Sequence, residues 1–77
     1  MLELFYSETC PYCQKVINYF KSTGIDFIPK NINIGENYDT LIKRGGIAQV
    51  PFLVDKKNDK QLYESVEIIS YVQNIIK

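Results

Sequence analysis

Residues 2–20 read LELFYSETCPYCQKVINYF: a short apolar run, a polar break and then a helical repeat. Leu2 to Tyr6 is rich in β-favouring residues and predicts a first strand. After the break, the apolar residues are spaced i, i+3, i+4 and i+7, which predicts one face of an amphipathic helix. These residues are Cys13, Val16, Ile17 and Phe20. Gly24 follows as a natural helix stop.

The middle of the chain predicts a second strand and a second helix. Asp26 to Ile34 carries Phe27, Ile28, Ile32 and Ile34 and predicts a strand, and Pro29 within it favours an edge position. Asn37 is a good helix N-cap, and Gly45-Gly46 ends the helix it would start. The predicted face of this helix consists of Tyr38, Leu41, Ile42 and Gly45.

The last third predicts a hairpin and a final helix. Pro51 to Asp55 and Gln61 to Tyr63 are strand-like, and a polar turn separates them. Ser65 would cap a helix that runs to about Ile76. Its apolar face would consist of Ile68, Ile69, Val72, Ile75 and Ile76.

This order of elements, β-α-β-α-β-β-α, predicts a single α/β domain over residues 1–77. The first β-α-β unit should cross over right-handedly and give parallel strands, and the hairpin adds an antiparallel pair. The expectation is a three-layer domain around a four-stranded mixed sheet.

The composition excludes several functions. The 77 residues are 45% hydrophobic and 23% charged, as in an ordinary globular domain. Nine basic residues balance nine acidic ones, which argues against nucleic acid or a membrane surface as partner. There is no His and there are two Cys, so neither a Cys-His pair nor a four-thiolate zinc site can form. With these residues we expect no metal. No signal peptide or transmembrane run is evident, so we expect a cytoplasmic, reducing location.

The two cysteines are predicted to be unequal. Pro11 suits the first helical position, which makes Cys10 the N-cap and places Cys13 on the apolar face. The free N–H groups and the positive end of the helix favour a thiolate at Cys10. Their i, i+3 spacing also fits an unstrained disulfide. Two other interpretations stay open at this point: buried core cysteines, and a metal site closed by a second chain or an external thiol.

Three motifs together resemble a known family. Cys10-Pro11-Tyr12-Cys13 after a strand is similar to the active site of dithiol glutaredoxins, and Gln49-Val50-Pro51 and Tyr63-Glu64-Ser65 continue the likeness. The last two motifs also resemble the N-terminal domain of glutathione S-transferases. Either resemblance implies a thioredoxin-like fold.

The resemblance implies a glutathione-dependent thiol–disulfide oxidoreductase with Cys10 as nucleophile and Cys13 as resolving thiol. It also implies that Val50 pairs its backbone with glutathione, that the bond before Pro51 is cis, and that Glu64 and Ser65 hold the γ-glutamyl group. The implied glutathione-binding residues are Tyr12, Gln49, Val50, Pro51, Glu64 and Ser65.

One departure concerns the glycyl carboxylate of glutathione. Many glutaredoxins carry a Lys shortly before the first Cys, whereas this chain has Ser7-Glu8-Thr9. Lys43, Arg44 and, more weakly, Gln49 are the candidates to replace it.

The implied partners are glutathione, as reducing co-substrate, and disulfide-containing or glutathionylated proteins, with the chain acting as a monomer. Two rival functions remain. One is a dimer that bridges an iron–sulfur cluster through Cys10 and glutathione, against which Pro11 argues. The other is a transferase, which would need a further helical domain.

Overall fold

The computed structural model describes residues 2–75, and the following bounds refer to them. The strands are β1 (Leu2–Tyr6), β2 (Phe27–Asn31), β3 (Phe52–Asp55) and β4 (Lys60–Tyr63). The helices are α1 (Pro11–Thr23), α2 (Asn37–Gly45) and α3 (Ser65–Ile75). The order β-α-β-α-β-β-α is therefore the predicted one.

The four strands form one mixed sheet in the order β2-β1-β3-β4. β1 pairs in parallel with β2, and β3 pairs antiparallel with both β1 and β4. The structure thus confirms the hairpin and the edge position of β2, where Pro29 lies opposite Leu4. This is the thioredoxin-like arrangement that the sequence implied.

The sheet is covered on both faces because successive strand residues point in opposite directions. On one face Leu4 and Leu53 pack with residues of α1 and α3, among them Phe20 and Ile68. The other face is smaller and packs on a single fully buried residue of α2. Its buried members are Phe5, Leu41, Phe52 and Val54. The three predicted layers are therefore present.

The structure corrects the boundaries of the strands by a few residues. β2 runs over Phe27–Asn31 and not to Ile34, whereas β3 starts one residue later and β4 one residue earlier than predicted. The side chain of Asn31 accepts from the N–H of Asn33 at 2.9 Å, which turns the chain away from the strand direction.

Both predicted caps of the later helices are wrong. Asn37 is the first residue of α2, and its side chain donates to the carbonyl oxygen of Asn31 at 2.8 Å instead of capping. The carbonyl oxygen of Glu64 accepts from the N–H of Ile68 at 3.0 Å, so Glu64 and not Ser65 occupies the cap position of α3.

The predicted face of α3 is partly confirmed. Ile68 and Val72 are fully buried, whereas Ile75 is 42% exposed at the end of the helix. The predicted contribution of Ile76 lies outside the described residues. The helices within residues 2–75 include none that is long and apolar enough to cross a membrane.

A polar cluster joins α3 to the end of β3. The hydroxyl of Tyr71 donates to Asp55 at 2.6 Å, and the side-chain amide of Asn58 donates to the same oxygen at 2.8 Å. Burial opposes the ionised form of Asp55, yet these hydrogen bonds outweigh it and lower the pKa of that carboxyl. The cluster fixes the α3 layer to the hairpin at the sheet end where Leu2 pairs with Asp55.

Candidate active site

The two cysteines lie at the start of α1, as the sequence predicted. Cys10 is the N-cap with extended backbone, and Pro11 is the first helical residue. The N–H of Cys13 donates to the Sγ of Cys10 at 3.3 Å, so a free helical N–H faces the sulfur. The Cys10 sulfur therefore lies at the positive end of the helix, next to a backbone donor.

Cys13 is less exposed than Cys10, and its own pKa is raised. Its side chain is fully buried, whereas Cys10 is partly exposed, and both are free thiols. Burial raises the pKa of Cys13 from its ordinary 9.0 to about 12, and the hydrogen bond and charge of Cys10 add to that rise. Cys13 is therefore a protonated, covered thiol behind an accessible one.

A surface cleft of about 420 Å³ is lined in part by Val50, a residue that contacts the Cys10 sulfur. The carbonyl oxygen of Val50 lies 3.9 Å from that sulfur. The bond between Val50 and Pro51 is cis, as the resemblance implied, and both residues line the cleft. The strand-starting loop is thus brought against the first turn of α1.

The cleft gathers six of the eight residues singled out in the sequence. They are Tyr12, Gln49, Val50, Pro51, Glu64 and Ser65. Neither of the other two, Cys10 and Cys13, lines the cleft, and the Cys10 sulfur contacts the carbonyl oxygen of Val50 beside it.

The polar side chains of the cleft come from two loops. The amide of Gln49 donates to the carboxylate of Glu64 at 2.8 Å, which links the loop before β3 to the start of α3. Glu64 has a positive φ of 71°, an unusual backbone state for a residue with a side chain. Tyr12 is 65% exposed on the opposite wall, and Ser65 is buried at the base of α3.

Two predicted candidates are not in the cleft, and one cleft residue was missed. Lys43 lines a different surface depression on α2, and Arg44 does not line the cleft. Val66 lines the cleft and is 65% exposed. A single exposed Val in the first turn of a helix has no sequence signal that marks it as functional.

The described part of the chain brings no three metal-ligating side chains together. This holds for the Cys, Asp and Glu side chains of residues 2–75, those around both cysteines included. The predicted absence of a bound metal stays a prediction.

The chain has clear relatives in sequence. The family described as the glutathione S-transferase N-terminal domain matches residues 4–75. An uncharacterised glutaredoxin-like 8.6 kDa protein in the rubredoxin operon of Clostridium pasteurianum is 41% identical over 54 residues, which is 65% of this chain and 72% of that protein.

Solved structures agree with this similarity. A glutaredoxin from Archaeoglobus fulgidus superposes with a TM-score of 0.69 at 25% identity, over 82% of this chain and 73% of that one. Glutaredoxin 2 from Salmonella typhimurium, solved in complex with glutathione, gives a TM-score of 0.79 at 25% identity. That match covers 97% of this chain and 34% of the longer protein.

Proposed function

The chain belongs to the family of glutathione S-transferase N-terminal domains and glutaredoxin-like proteins, and from that membership we propose that it is a glutathione-dependent thiol–disulfide oxidoreductase. Its substrates are glutathione mixed disulfides of proteins and protein disulfides. Cys10 is the nucleophile, Cys13 is the resolving thiol, and the reactions belong to a reducing, cytoplasmic setting.

The observation that carries the proposal is the position of the Cys10 sulfur. It accepts the N–H of Cys13 at 3.3 Å and lies 3.9 Å from the Val50 carbonyl oxygen at the cleft. A thiolate held by a helix end needs no histidine base, and the chain contains none. Cys10 is partly exposed and can be reached by a substrate disulfide, whereas Cys13 behind it is buried.

The first half-reaction removes glutathione from a protein. The Cys10 thiolate attacks the glutathione sulfur, a Cys10–glutathione disulfide forms, and the protein sulfur leaves as a thiolate that takes a proton from water. In the second half-reaction the thiolate of another glutathione attacks the glutathione sulfur bound to Cys10. Oxidised glutathione leaves, and the Cys10 thiolate is regenerated.

A protein disulfide requires the second cysteine. Attack by Cys10 releases one protein thiolate and leaves the other protein sulfur bonded to Cys10. Cys13 then loses its proton to solvent base, bonds to the Cys10 sulfur and expels the remaining protein thiolate. Two glutathione molecules reduce the resulting Cys10–Cys13 disulfide and leave as oxidised glutathione.

The cleft residues bind the tripeptide in this proposal. The backbone of Val50 pairs with the cysteinyl unit, in the way that a peptide adds to a strand edge. The carboxylate of Glu64 binds the γ-glutamyl ammonium, and Ser65 with the free N–H groups of α3 binds its carboxylate. Tyr12 covers the bound molecule, and Gln49 orients the Glu64 carboxylate through its hydrogen bond.

Mass spectrometry after incubation with oxidised glutathione tests the proposal. We expect one glutathione on Cys10, removed by an excess of reduced glutathione. In an assay coupled to glutathione reductase, Cys10→Ser should abolish turnover and Cys13→Ser should keep the removal of glutathione from proteins. Cys13→Ser should lose the reduction of protein disulfides.

The matched pair of serine variants makes the roles separable. Both replace a sulfur by an oxygen at the start of α1, but Cys13 is buried and Cys10 is partly exposed, so the thermal stability of each variant is measured beside its activity. Turnover by Cys10→Ser, or a glutathione adduct on Cys13 in the native wild-type protein, would contradict the assignment.

A transferase activity is the second candidate, because the matching family is described by its transferase members. In that case the cleft activates the glutathione thiol for attack on an electrophile. Conjugation of glutathione to a model aryl halide by the Cys10→Ser variant would favour this function over the first.

A further inference from the structure

Tyr63, the last residue of β4, binds both backbone groups of one residue in the loop before β3. The N–H of Ile47 donates to the Tyr63 hydroxyl at 3.2 Å, and the hydroxyl donates to the carbonyl oxygen of Ile47 at 2.9 Å. The hydroxyl thus uses its donor and one acceptor on the same residue. Ile47 is 54% exposed, so few apolar contacts hold it in place.

Packing fixes the ring that carries this hydroxyl. The ring lies on Phe52 with a centroid distance of 4.5 Å, and Phe52 is fully buried. Its hydroxyl end also approaches Gly45 in the last turn of α2, where an added Cβ would collide with the Tyr63 hydroxyl. The hydroxyl therefore has a defined position from which it can hold Ile47.

The loop connects this anchor to the cleft. The carbonyl oxygen of Ile47 also accepts the N–H of Gln49 at 2.8 Å, and the Gln49 side chain donates to Glu64. Tyr63 therefore holds Ile47, and the next residue, Glu64, holds Gln49 of the same loop. The loop then reaches Val50, whose carbonyl oxygen borders the Cys10 sulfur.

We infer that Tyr63 is a positioning residue for glutathione binding, acting through Ile47 on the backbone of Val50. Because this inference rests on the proposed function, it concerns the affinity of the same cleft. An anchored loop presents its peptide groups in one arrangement, whereas a released loop must be ordered when the ligand binds. The N–H that donates to the Cys10 sulfur belongs to Cys13 in α1, so Tyr63→Phe takes no hydrogen-bond donor away from that sulfur.

Tyr63→Phe tests the inference because it keeps the ring and removes both hydrogen bonds. We expect S-methylglutathione, which cannot form a disulfide, to bind about tenfold more weakly, a loss of about 1.4 kcal/mol. The alkylation rate of Cys10 by iodoacetamide should stay within about twofold of the wild type. Amide hydrogen exchange at Ile47 and Gln49 should become faster.

Tyr71→Phe is the matched control. It also removes one tyrosine hydroxyl, which donates to Asp55 at the end of β3. Asp55 is three residues, roughly 10 Å, along β3 from Phe52, the residue that lies opposite Tyr63 in the sheet. Tyr71→Phe should leave the affinity for S-methylglutathione unchanged.

Equal affinity in Tyr63→Phe and the wild type would overturn the inference, as would an equal loss of affinity in Tyr71→Phe. Wild-type protein that fails to bind S-methylglutathione would refute the proposed function instead. In that case amide exchange still tests whether Tyr63 holds the loop. Faster exchange at Ile47 in Tyr63→Phe supports this role, and unchanged exchange refutes it.

Discussion

Alkylation as a function of pH should separate the two thiols of the native protein by a large factor. Cys13 is fully buried and its pKa is raised to about 12, mainly by burial. At pH 8 it is then ionised in about one molecule in ten thousand, whereas a thiol at the ordinary value is ionised in about one in ten. Because the thiolate is the reacting form, Cys13 should react at least about a thousandfold more slowly than a free cysteine.

The assay is a timed reaction with iodoacetamide, followed by peptide mapping of the two cysteines. Wild-type protein at pH 8 should gain one adduct, on Cys10, and both cysteines should react in denaturant. Each unit of pH up to about 11 should raise the rate at Cys13 about tenfold.

The Cys10→Ser variant isolates the cause of the shift. It removes the hydrogen bond and charge of Cys10, which are the smaller contributions to the raised pKa of Cys13, and leaves burial in place. Cys13 should therefore stay protected, with a pKa still above the ordinary value. Native Cys10→Ser protein that reacts at Cys13 within about tenfold of a free cysteine would refute the reasoning.

Three further predictions concern stability. The pKa of Cys13 is higher in the folded than in the unfolded state, so its stabilising effect is present below pH 9 and is lost as the pH rises above it. In urea titrations, the free energy of unfolding of the reduced wild type should therefore fall by about 1.4 kcal/mol per pH unit between about pH 9.5 and 11, relative to Cys13→Ala. Tyr71→Phe should lower the free energy of unfolding by about 1–2 kcal/mol at pH 7 and shift acid unfolding to higher pH, because Asp55 loses a donor to its carboxylate; an unchanged acid midpoint would contradict this. Gly45→Ala should cost about 1–3 kcal/mol through the collision with Tyr63, and the cost should largely vanish in a Tyr63→Ala background, as a double-mutant cycle would measure.

The features that the sequence predicted correctly are those with a local signal. The apolar face of α1, the proline after Cys10 and the stop at Gly24 are all encoded within a few residues of their effect, and the structure has each of them. The gathering of the cleft residues came from the resemblance of three motifs, because no local rule brings Tyr12 and Glu64 together.

The two wrong cap predictions show that a suitable residue type does not by itself decide where a helix starts. Asn37 has the right chemistry for a cap, but its amide donates to the carbonyl oxygen of Asn31. Ser65 was predicted as a cap because of its hydroxyl, yet Glu64 takes that position. The positive φ of Glu64 is uncommon for a residue with a side chain, so the sequence does not predict it. The bond from Tyr63 to Ile47 spans 16 residues, and an isolated tyrosine at a strand end gives no sign of it.

Pro29 in the edge strand β2 has a consequence for how the sheet meets other chains. An edge strand offers unpaired N–H and C=O groups to any extended segment that approaches it. Pro29 supplies no N–H and fixes its own φ, so a continuous ladder along the outer side of β2 is interrupted at its middle residue. The opposite edge, β4, has only four residues and starts with the exposed Lys60. Growth of this sheet into fibrils by strand addition is therefore opposed at both edges, by Pro29 in β2 and by the short length and the Lys60 charge of β4.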